Sequence, residues 1–302
     1  MITILLSTYN GEKYLEEQLN SLIKQEGVEV SIFVRDDGSK DNTHAILNRW
    51  QDNGLLSWYT GKNLGAARSF FDLLQKAPDS EYYAFCDQDD VWLPNKLQRA
   101  LSYLSVTDSD IPNLYGAGYL LVDANLNIMK KVTKPYLSFN TAGSVMLESH
   151  TPGCTMVFNR ALAKEVKKHI PECFVFHDRW VLLVAYLLGN IHYDHFASLM
   201  YRQHENNVVG ASQNVTVLDR LKHLITLPKR KLSPLYLLSS ELLEAYKCTI
   251  SEDKQEVLVI CSNYNKSLTA LMQLAFAPKF NLSPRGLKNA LYWKCKILLR
   301  KI

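Results

Sequence analysis

The six cysteines form no C-x-x-C pair, so their spacing offers neither a zinc site nor the disulfide framework of a small secreted domain. Reduced thiols in a cytoplasm fit that pattern. Long apolar runs are missing as well. The longest, Trp180 to Leu188, is half of the roughly 18 to 20 residues that a membrane-spanning helix needs. The opening Met1-Ile2-Thr3-Ile4-Leu5-Leu6-Ser7 has no basic leader and turns polar at Ser7, which predicts no signal peptide. There is no G-x-G-x-x-G after the first apolar run and no G-x-x-x-x-G-K-[ST] anywhere. A dinucleotide redox enzyme and a P-loop phosphotransferase therefore lose their main supports. Gly61-Lys62-Asn63-Leu64-Gly65 spaces its glycines too widely for the first and lacks the Gly-Lys-Ser/Thr end of the second, leaving a weaker phosphate cue. Charge of one sign is scarce: Lys plus Arg number 34 against 30 Asp plus Glu, a net +4 that is too small to indicate a nucleic-acid partner. What is present is apolar. With 47% hydrophobic residues, 21% charged and 13 glycines in 302 residues, the chain can bury a full core as one large α/β domain or a core plus an appendage.

The first hundred residues alternate short apolar runs with longer amphipathic ones: Ile2–Leu6 then Tyr14–Ile23, Val30–Val34 then Asn42–Trp50, Leu56–Tyr59 then Ala66–Leu74, Tyr82–Cys86 then Lys96–Leu104. Strand-length runs ending in polar turns, each followed by a stripe at helical spacing, predict a Rossmann-like parallel sheet flanked by helices. Beyond them the pattern predicts strands at Leu114–Val122, Thr155–Phe158 and Ile191–Tyr193 and helices at Ala161–His169 and Arg179–Leu188. After about Val215 only helices are predicted, at Leu218–Leu227, Leu235–Tyr246 and Glu256–Phe276, with Pro228 and Pro234 as punctuation around Lys229-Arg230-Lys231. The expected division is 1–214 (a nucleotide-binding half, 1–110, and an acceptor half, 111–214), followed by a helical, basic region over 215–302.

In such sheets ligands bind at the carboxyl ends of the strands, which makes four clusters worth reading. Asp36-Asp37-Gly38-Ser39-Lys40-Asp41 reads either as a turn with Asp41 capping the next helix or as a carboxylate that accepts a hydrogen bond from a pyrimidine imide. Tyr9 or the backbone near Ser7 would hold the base from another side. In Asp87-Gln88-Asp89-Asp90 three carboxylates crowd a strand end and repel one another. Such crowding suits Mg²⁺ or Mn²⁺, which take one or two carboxylates and complete their shell with phosphate oxygens and water; the bland alternative is a solvated acidic turn.

Taken in order, Ser7-Thr8-Tyr9-Asn10-Gly11, Asp36-Asp37-Gly38-Ser39, Asn63-Leu64-Gly65 and Asp87-Gln88-Asp89-Asp90-Val91-Trp92-Leu93-Pro94 resemble the family 2 glycosyltransferases of GT-A fold. The resemblance continues through Thr151-Pro152-Gly153-Cys154, Phe176-His177-Asp178-Arg179-Trp180 and Tyr201-Arg202-Gln203-His204 to Gly210, and there looks like the bacterial rhamnosyltransferase branch. It covers about two-thirds of the chain, not the helical tail. It implies a mixed, mainly parallel GT-A sheet and a nucleotide-diphosphate-sugar donor bound by Ser7, Thr8, Tyr9, Asp36, Asp37, Asn63, Arg68, Asp87, Gln88 and Arg202. A divalent metal would sit on Asp89, Asp87 and His204, and an acceptor loop would be built from Gly153, Cys154, His177 and Trp180. Asp178 takes the place of the family's catalytic base, and His177 stands where a Glu is usual. By itself an Asp before a helix reads as an N-cap. It can be both, since a helix N-terminus favours the ionised carboxylate that a base requires.

The implied reaction is inverting transfer of a sugar, L-rhamnose from dTDP-rhamnose in the first instance and a UDP-hexose in the second, to a saccharide or lipid-linked glycan acceptor of a bacterial surface polysaccharide. A sugar-1-phosphate nucleotidyltransferase would want a glycine-rich, basic N-terminal loop, which Ser7 to Glu12 is not. A non-catalytic nucleotide-sugar-binding scaffold is disfavoured by intact Asp87, Asp89 and Asp178. The last acidic residue is Glu256, and eight Lys or Arg residues follow it among Leu, Tyr and Trp. That basic amphipathic tail reads as a peripheral contact with an anionic leaflet or as a helix packed on the core with a solvated face, and the helical region leaves an oligomer open.

Overall fold

The computed structural model describes residues 1–133, 141–147, 151–173, 175–205, 234–280 and 287–300, with backbone only at 144 and 287–291. The predicted helix at 218–227 and its flanking prolines and basic triplet, apart from Pro234, lie outside them, as does the motif's end at 206–210. Four strands, β1 (Ile2–Thr8), β2 (Val30–Asp36), β3 (Ser57–Thr60) and β4 (Tyr82–Cys86), pair in parallel in the order β3-β2-β1-β4. β1 lies at the centre with nearly every side chain buried, as expected for a strand covered on both faces. Helices α1 (Leu15–Leu22), α2 (Thr43–Asp52) and α3 (Ala66–Lys76) make the crossovers. The apolar stripes of α1 and α2 supply Leu15, Leu19, Leu47 and Trp50 to one core with Ile2, Ile4 and Val34, each fully buried aliphatic contributing about 1.5–3 kcal/mol.

Beyond β4 the sheet becomes mixed. The predicted strands and helices appear as β6 (Asn113–Val122), β8 (Val157–Asn159), β9 (Asn190–Arg202), α4 (Lys96–Leu104), α6 (Arg160–Lys168) and α7 (His177–Leu188). Two short strands, β5 (Val91–Trp92) and β7 (Ile128–Val132), and a helix α5 (Ala142–Leu147) carry too little pattern to be predicted. Thr155 ends a 3₁₀ turn, Gly153–Thr155, rather than starting β8. β9 runs nine residues past the predicted end at Tyr193, because it pairs with β6 along its length and with β5 near its end. The sheet order is β3-β2-β1-β4-β8-β6-β9-β5, with β7 on β6.

Two compact units result: Met1–Pro135, Thr151–Ile170 and Phe176–Gly210 form the sheet unit, and Tyr136–His150, Pro171–Val175 and Ala211–Ile302 the other. The second unit contains α8 (Pro234–Tyr246), α9 (Glu252–Asn263), α10 (Leu268–Phe276) and α11 (Leu287–Leu298). Pro234 starts α8, where its missing N–H costs nothing. The single helix predicted over Glu256–Phe276 is two, broken where the Ser267 hydroxyl caps α10 by accepting from Ala270 N at 3.2 Å. No helix among the described residues is long and apolar enough to cross a membrane.

Candidate active site

Register brings the strand ends together. Thr8 lies beside Asp36 and Leu6 beside Cys86, so the residues that follow β1, β2 and β4 emerge side by side where the chain leaves β1 in opposite directions, the usual ligand crevice of such sheets. A cavity of about 380 Å³ opens there. Ser7, Thr8, Tyr9, Asp37, Asn63, Asp87, Gln88 and Asp89 line it on the strand-end side, and Gly153, His177 and Asp178 line it from the mixed half. β8 runs antiparallel to β4, with Val157 opposite Ala84, so the 3₁₀ turn just before it falls at the carboxyl end of β4.

The two aspartates after β2 have different surroundings. Asp36 is fully buried, and one of its oxygens accepts from Gly38 N, Ser39 N and Thr60 Oγ1 at 3.0 Å each and contacts His44 Nε2 at 2.7 Å. Burial pushes its carboxyl up, but the Ser39, His44 and Thr60 hydrogen bonds outweigh it and leave it below the usual range. Asp36 therefore shapes the turn, with Gly38 at φ +85°, and does not line the cavity. Asp37 does. Its oxygens accept from Leu64 N at 2.9 Å and Gly65 N at 2.9 Å, and Arg35 Nη1 donates to it from below. Arg35, 1% exposed, also donates to Asp72 at 2.9 Å and to Ser69. The second and third strand-end loops are thereby tied through one carboxylate. Asp41 accepts from Thr43 N at 3.1 Å from the position before the N-cap.

Gln88 bridges the outer loops: its Oε1 accepts from Thr8 Oγ1 at 2.6 Å and Tyr9 N at 2.8 Å, and its Nε2 donates to Tyr9 O at 3.2 Å. Gly11 leaves room for this bridge, because a Cβ there would fall 2.5 Å from Gln88 Oε1 and 2.6 Å from Thr8 Oγ1 and displace it.

The Asp87–Asp90 loop is held from the far end of the chain. β5 pairs with the end of β9, Val91 opposite Met200, which delivers Arg202 and His204 to the loop. His204 Nε2 lies 2.7 Å from Asp89 Oδ2. Arg202, 2% exposed, donates to Asp89 O at 2.7 Å, to Ala124 O at 2.7 Å and to Glu17, while its N–H donates to Asp90 Oδ1 at 3.1 Å. Asp87 is pushed up by burial and by the charges of Asp89 and Asp178, repulsion that a divalent cation on these hard oxygens would relieve. Asp87, Asp90 and Cys154 also come within 4.8 Å of one another. This inner trio suits Mg²⁺ poorly. Burial drives the Cys154 thiol far above its usual value, and the buried Lys96 ammonium, which donates to Cys154 O and lies 3.2 Å from the Trp92 ring centroid, already acts on all three groups.

Asp178 is the second residue of α7, not its N-cap, which is Phe176. Its Oδ1 accepts from Arg179 N at 2.6 Å. Burial outweighs the backbone donors and pushes its pKa up to about 6. At neutral pH it is still mostly the carboxylate. His177 packs at 4.0 Å on Phe70 and 4.7 Å from Phe85, and a Cβ on Gly153 would fall 2.6 Å from its Nε2.

The sequence model described as glycosyl transferase family 2 matches residues 3–166 of this chain, which include every one of these strand-end loops. The chain belongs to this family. A dTDP-rhamnosyl transferase, RfbG, of Shigella flexneri is 31% identical over 238 residues, covering 72% of this chain and 78% of that protein. The Escherichia coli UDP-Glc:alpha-D-GlcNAc-diphosphoundecaprenol beta-1,3-glucosyltransferase WfgD is 28% identical over 163 residues, 54% of this chain and 61% of that protein. Among solved structures, S. aureus TarS 1–349 in complex with UDP-GlcNAc superposes with a TM-score of 0.60 at 20% identity, over 97% of this chain and 78% of that one. The mannosyltransferase PcManGT from Pyrobaculum calidifontis, in complex with GDP-Man and Mn2+, gives 0.55 at 15% identity, over 99% and 86%. These likenesses carry the GT-A fold.

In this glycosyltransferase the cavity gathers eleven of the residues singled out from sequence and leaves six behind it. Asp36, Arg202 and His204 act on the loops that line it; Cys154 and Trp180 are buried, the latter beside His169; Arg68 is exposed on α3. Arg35 and Lys96 were missed. The signal for Arg35 was a charge inside an apolar strand run, whereas nothing local marks Lys96 as buried. Phe70, Pro152, Phe176 and Tyr201 also line the cavity; Phe70 reads in sequence as an ordinary apolar position, and the other three stand in the family motifs with no role assigned to them there.

Proposed function

We propose that this glycosyltransferase transfers L-rhamnose from dTDP-rhamnose, with inversion, to a hydroxyl of a saccharide or lipid-linked saccharide in bacterial surface polysaccharide synthesis. The observation that carries the chemistry is Asp178 facing Asp87 and Asp89 in one cavity. The rhamnosyl donor is supported by the similarity to RfbG. Asp37, fixed by Arg35 and the Leu64 and Gly65 amides, faces the base, and Tyr9 and Asn63 flank it. Asp178 takes the proton from the acceptor hydroxyl as its oxygen attacks the anomeric carbon from the side opposite the diphosphate. The bond between that carbon and the phosphate oxygen breaks, its electron pair leaves with the diphosphate, and no covalent enzyme intermediate forms. Asp89 and Asp87, with His204 on Asp89, are the residues that would hold Mg²⁺ or Mn²⁺, which when bound supplies a Lewis acid for the diphosphate charge. Arg202, buried beneath that loop, positions it through Asp89 O and Asp90 Oδ1.

We place the protein in the cytoplasm, touching the inner leaflet through α11, whose Lys294 and Lys296 with Arg300 continue the basic tail. Replacing these three by Gln should release the protein from anionic vesicles; unchanged binding would refute that contact. A UDP-hexose donor is the second reading, favoured by the similarity to WfgD. Calorimetric titration with dTDP-rhamnose, UDP-glucose, UDP-galactose and GDP-mannose, with Mg²⁺, Mn²⁺ or chelator, tests all of this. Preference for dTDP-rhamnose that is lost with chelator and in Asp89→Ala is expected. Tight metal-independent binding would refute the metal assignment, and binding of none would leave a scaffold without transferase chemistry.

A further inference from the structure

His177 is 8% exposed, yet neither of its ring nitrogens has a hydrogen-bond partner among the described residues. Buried polar atoms are seldom left so. The ring is one of the surfaces lining the cavity, wedged with Phe70 stacked at 4.0 Å and Phe85 edge-on at 4.7 Å. Gly153 leaves room for it, since any side chain there would strike Nε2 at 2.6 Å. The packing that fixes the ring comes from α3 and β4, the two elements whose ends carry Gly65 and Asp87 of the clusters assigned to the donor, which favours a donor contact over the acceptor-loop role that the family resemblance implies.

We propose that His177 is a specificity-determining residue that holds a hydroxyl of the donor's sugar ring next to the reacting carbon. The assignment rests on the glycosyl-transfer reading above. A neutral imidazole offers one N–H donor and one acceptor, the complement of a hydroxyl that both donates and accepts. Burial alone drives the His177 pKa down to about 3, so the ring is neutral wherever Asp178 is ionised. A carboxylate between the two phenyl rings would be an unpaired buried charge, whereas a neutral imidazole can occupy this place without one.

The test compares dTDP-rhamnose with dTDP, each with Mg²⁺, on the full-length protein by calorimetry. Wild type should bind the sugar nucleotide more tightly than dTDP. His177→Phe, which keeps the ring packing, should lose roughly tenfold on dTDP-rhamnose with dTDP affinity unchanged, and His177→Asn, which keeps a donor and an acceptor, should recover part of the loss. Unchanged affinity for both ligands in His177→Phe, or an equal loss on both, would overturn the assignment. A readout that needs no folded variant is the ¹⁵N spectrum of histidine-labelled wild type: the His177 ring nitrogens should shift with dTDP-rhamnose and not with dTDP, and identical spectra would overturn it too. Wild-type protein that binds no sugar nucleotide would defeat the glycosyl-transfer reading itself, a result distinct from tight binding with an indifferent His177.

Discussion

Two sets of carboxylates in the sheet unit, those tied into its loops and helices and those at the Asp87–Asp90 turn and the start of α7, live in opposite electrostatic conditions. Asp36, Asp41 and Asp72 have donors on their oxygens and are held below the usual carboxylate range. Asp87, Asp90 and Asp178 are short of donors and are pushed above it, chiefly by burial. The first group is scaffold: its charge is already answered inside the protein. In the proposed reaction the second group awaits something that arrives, a proton for Asp178 and a cation for Asp87 with Asp89. The difference teaches that an aspartate-rich loop is not informative until one knows whether its charges are paired.

That contrast can be broken from the poised side first. Asp178→Asn should lower kcat by about 10²- to 10⁴-fold, the usual worth of a general base, while raising the thermal midpoint because an ill-solvated carboxylate is gone; a large loss of stability together with activity would make Asp178 scaffold instead. On the paired side, Arg35→Met strands Asp37 and Asp72. A buried pair broken at one partner costs about 3–5 kcal/mol, so the urea midpoint should fall steeply and nucleotide binding with it. Asp36→Ala frees the Gly38, Ser39 and Thr60 donors and should cost about 1–3 kcal/mol, with catalysis by the surviving folded fraction little altered. The smallest effect sharpens the comparison through pH. Asp178 must be ionised to accept a proton, so kcat should fall about tenfold per unit below its pKa of about 6. Its native pKa lies above the 3.8 of an ordinary aspartate, so the native state binds more protons than the unfolded one between these values. Stability from this group is therefore full below that window and is lost as pH rises through it, and the slope should vanish in Asp178→Asn.

The parallel half was legible because each strand, turn and helix there is written in neighbouring residues. Ile2–Leu6, Val30–Val34 and Tyr82–Cys86 are apolar runs that end at the residues that matter, and βαβ handedness leaves those ends on one edge. The mixed half was legible in its elements but not in its pairings. Val91-Trp92 is too short to announce a strand, and its pairing with β9 is what carries Arg202 and His204 to Asp89. Arg202 read as a diphosphate ligand because it is an arginine in a family motif; its contacts with Asp89, Ala124 and Glu17 appear only when segments far apart in the chain close on one another.

The amino-acid sequence by itself determined the alternation of strands and helices, the four clusters at the strand ends, and the membership of family 2 that those clusters announce. These follow from local periodicity and from residue types, which need no knowledge of distant neighbours. Only the tertiary structure decided which carboxylates are paired and which are poised, that Asp36 builds a turn while Asp37 faces the cavity, and that Lys96 lies buried against Cys154. Desolvation and Coulomb interaction depend on what surrounds a group in space, and in this chain those surroundings are assembled from segments as far apart as Glu17 and Arg202.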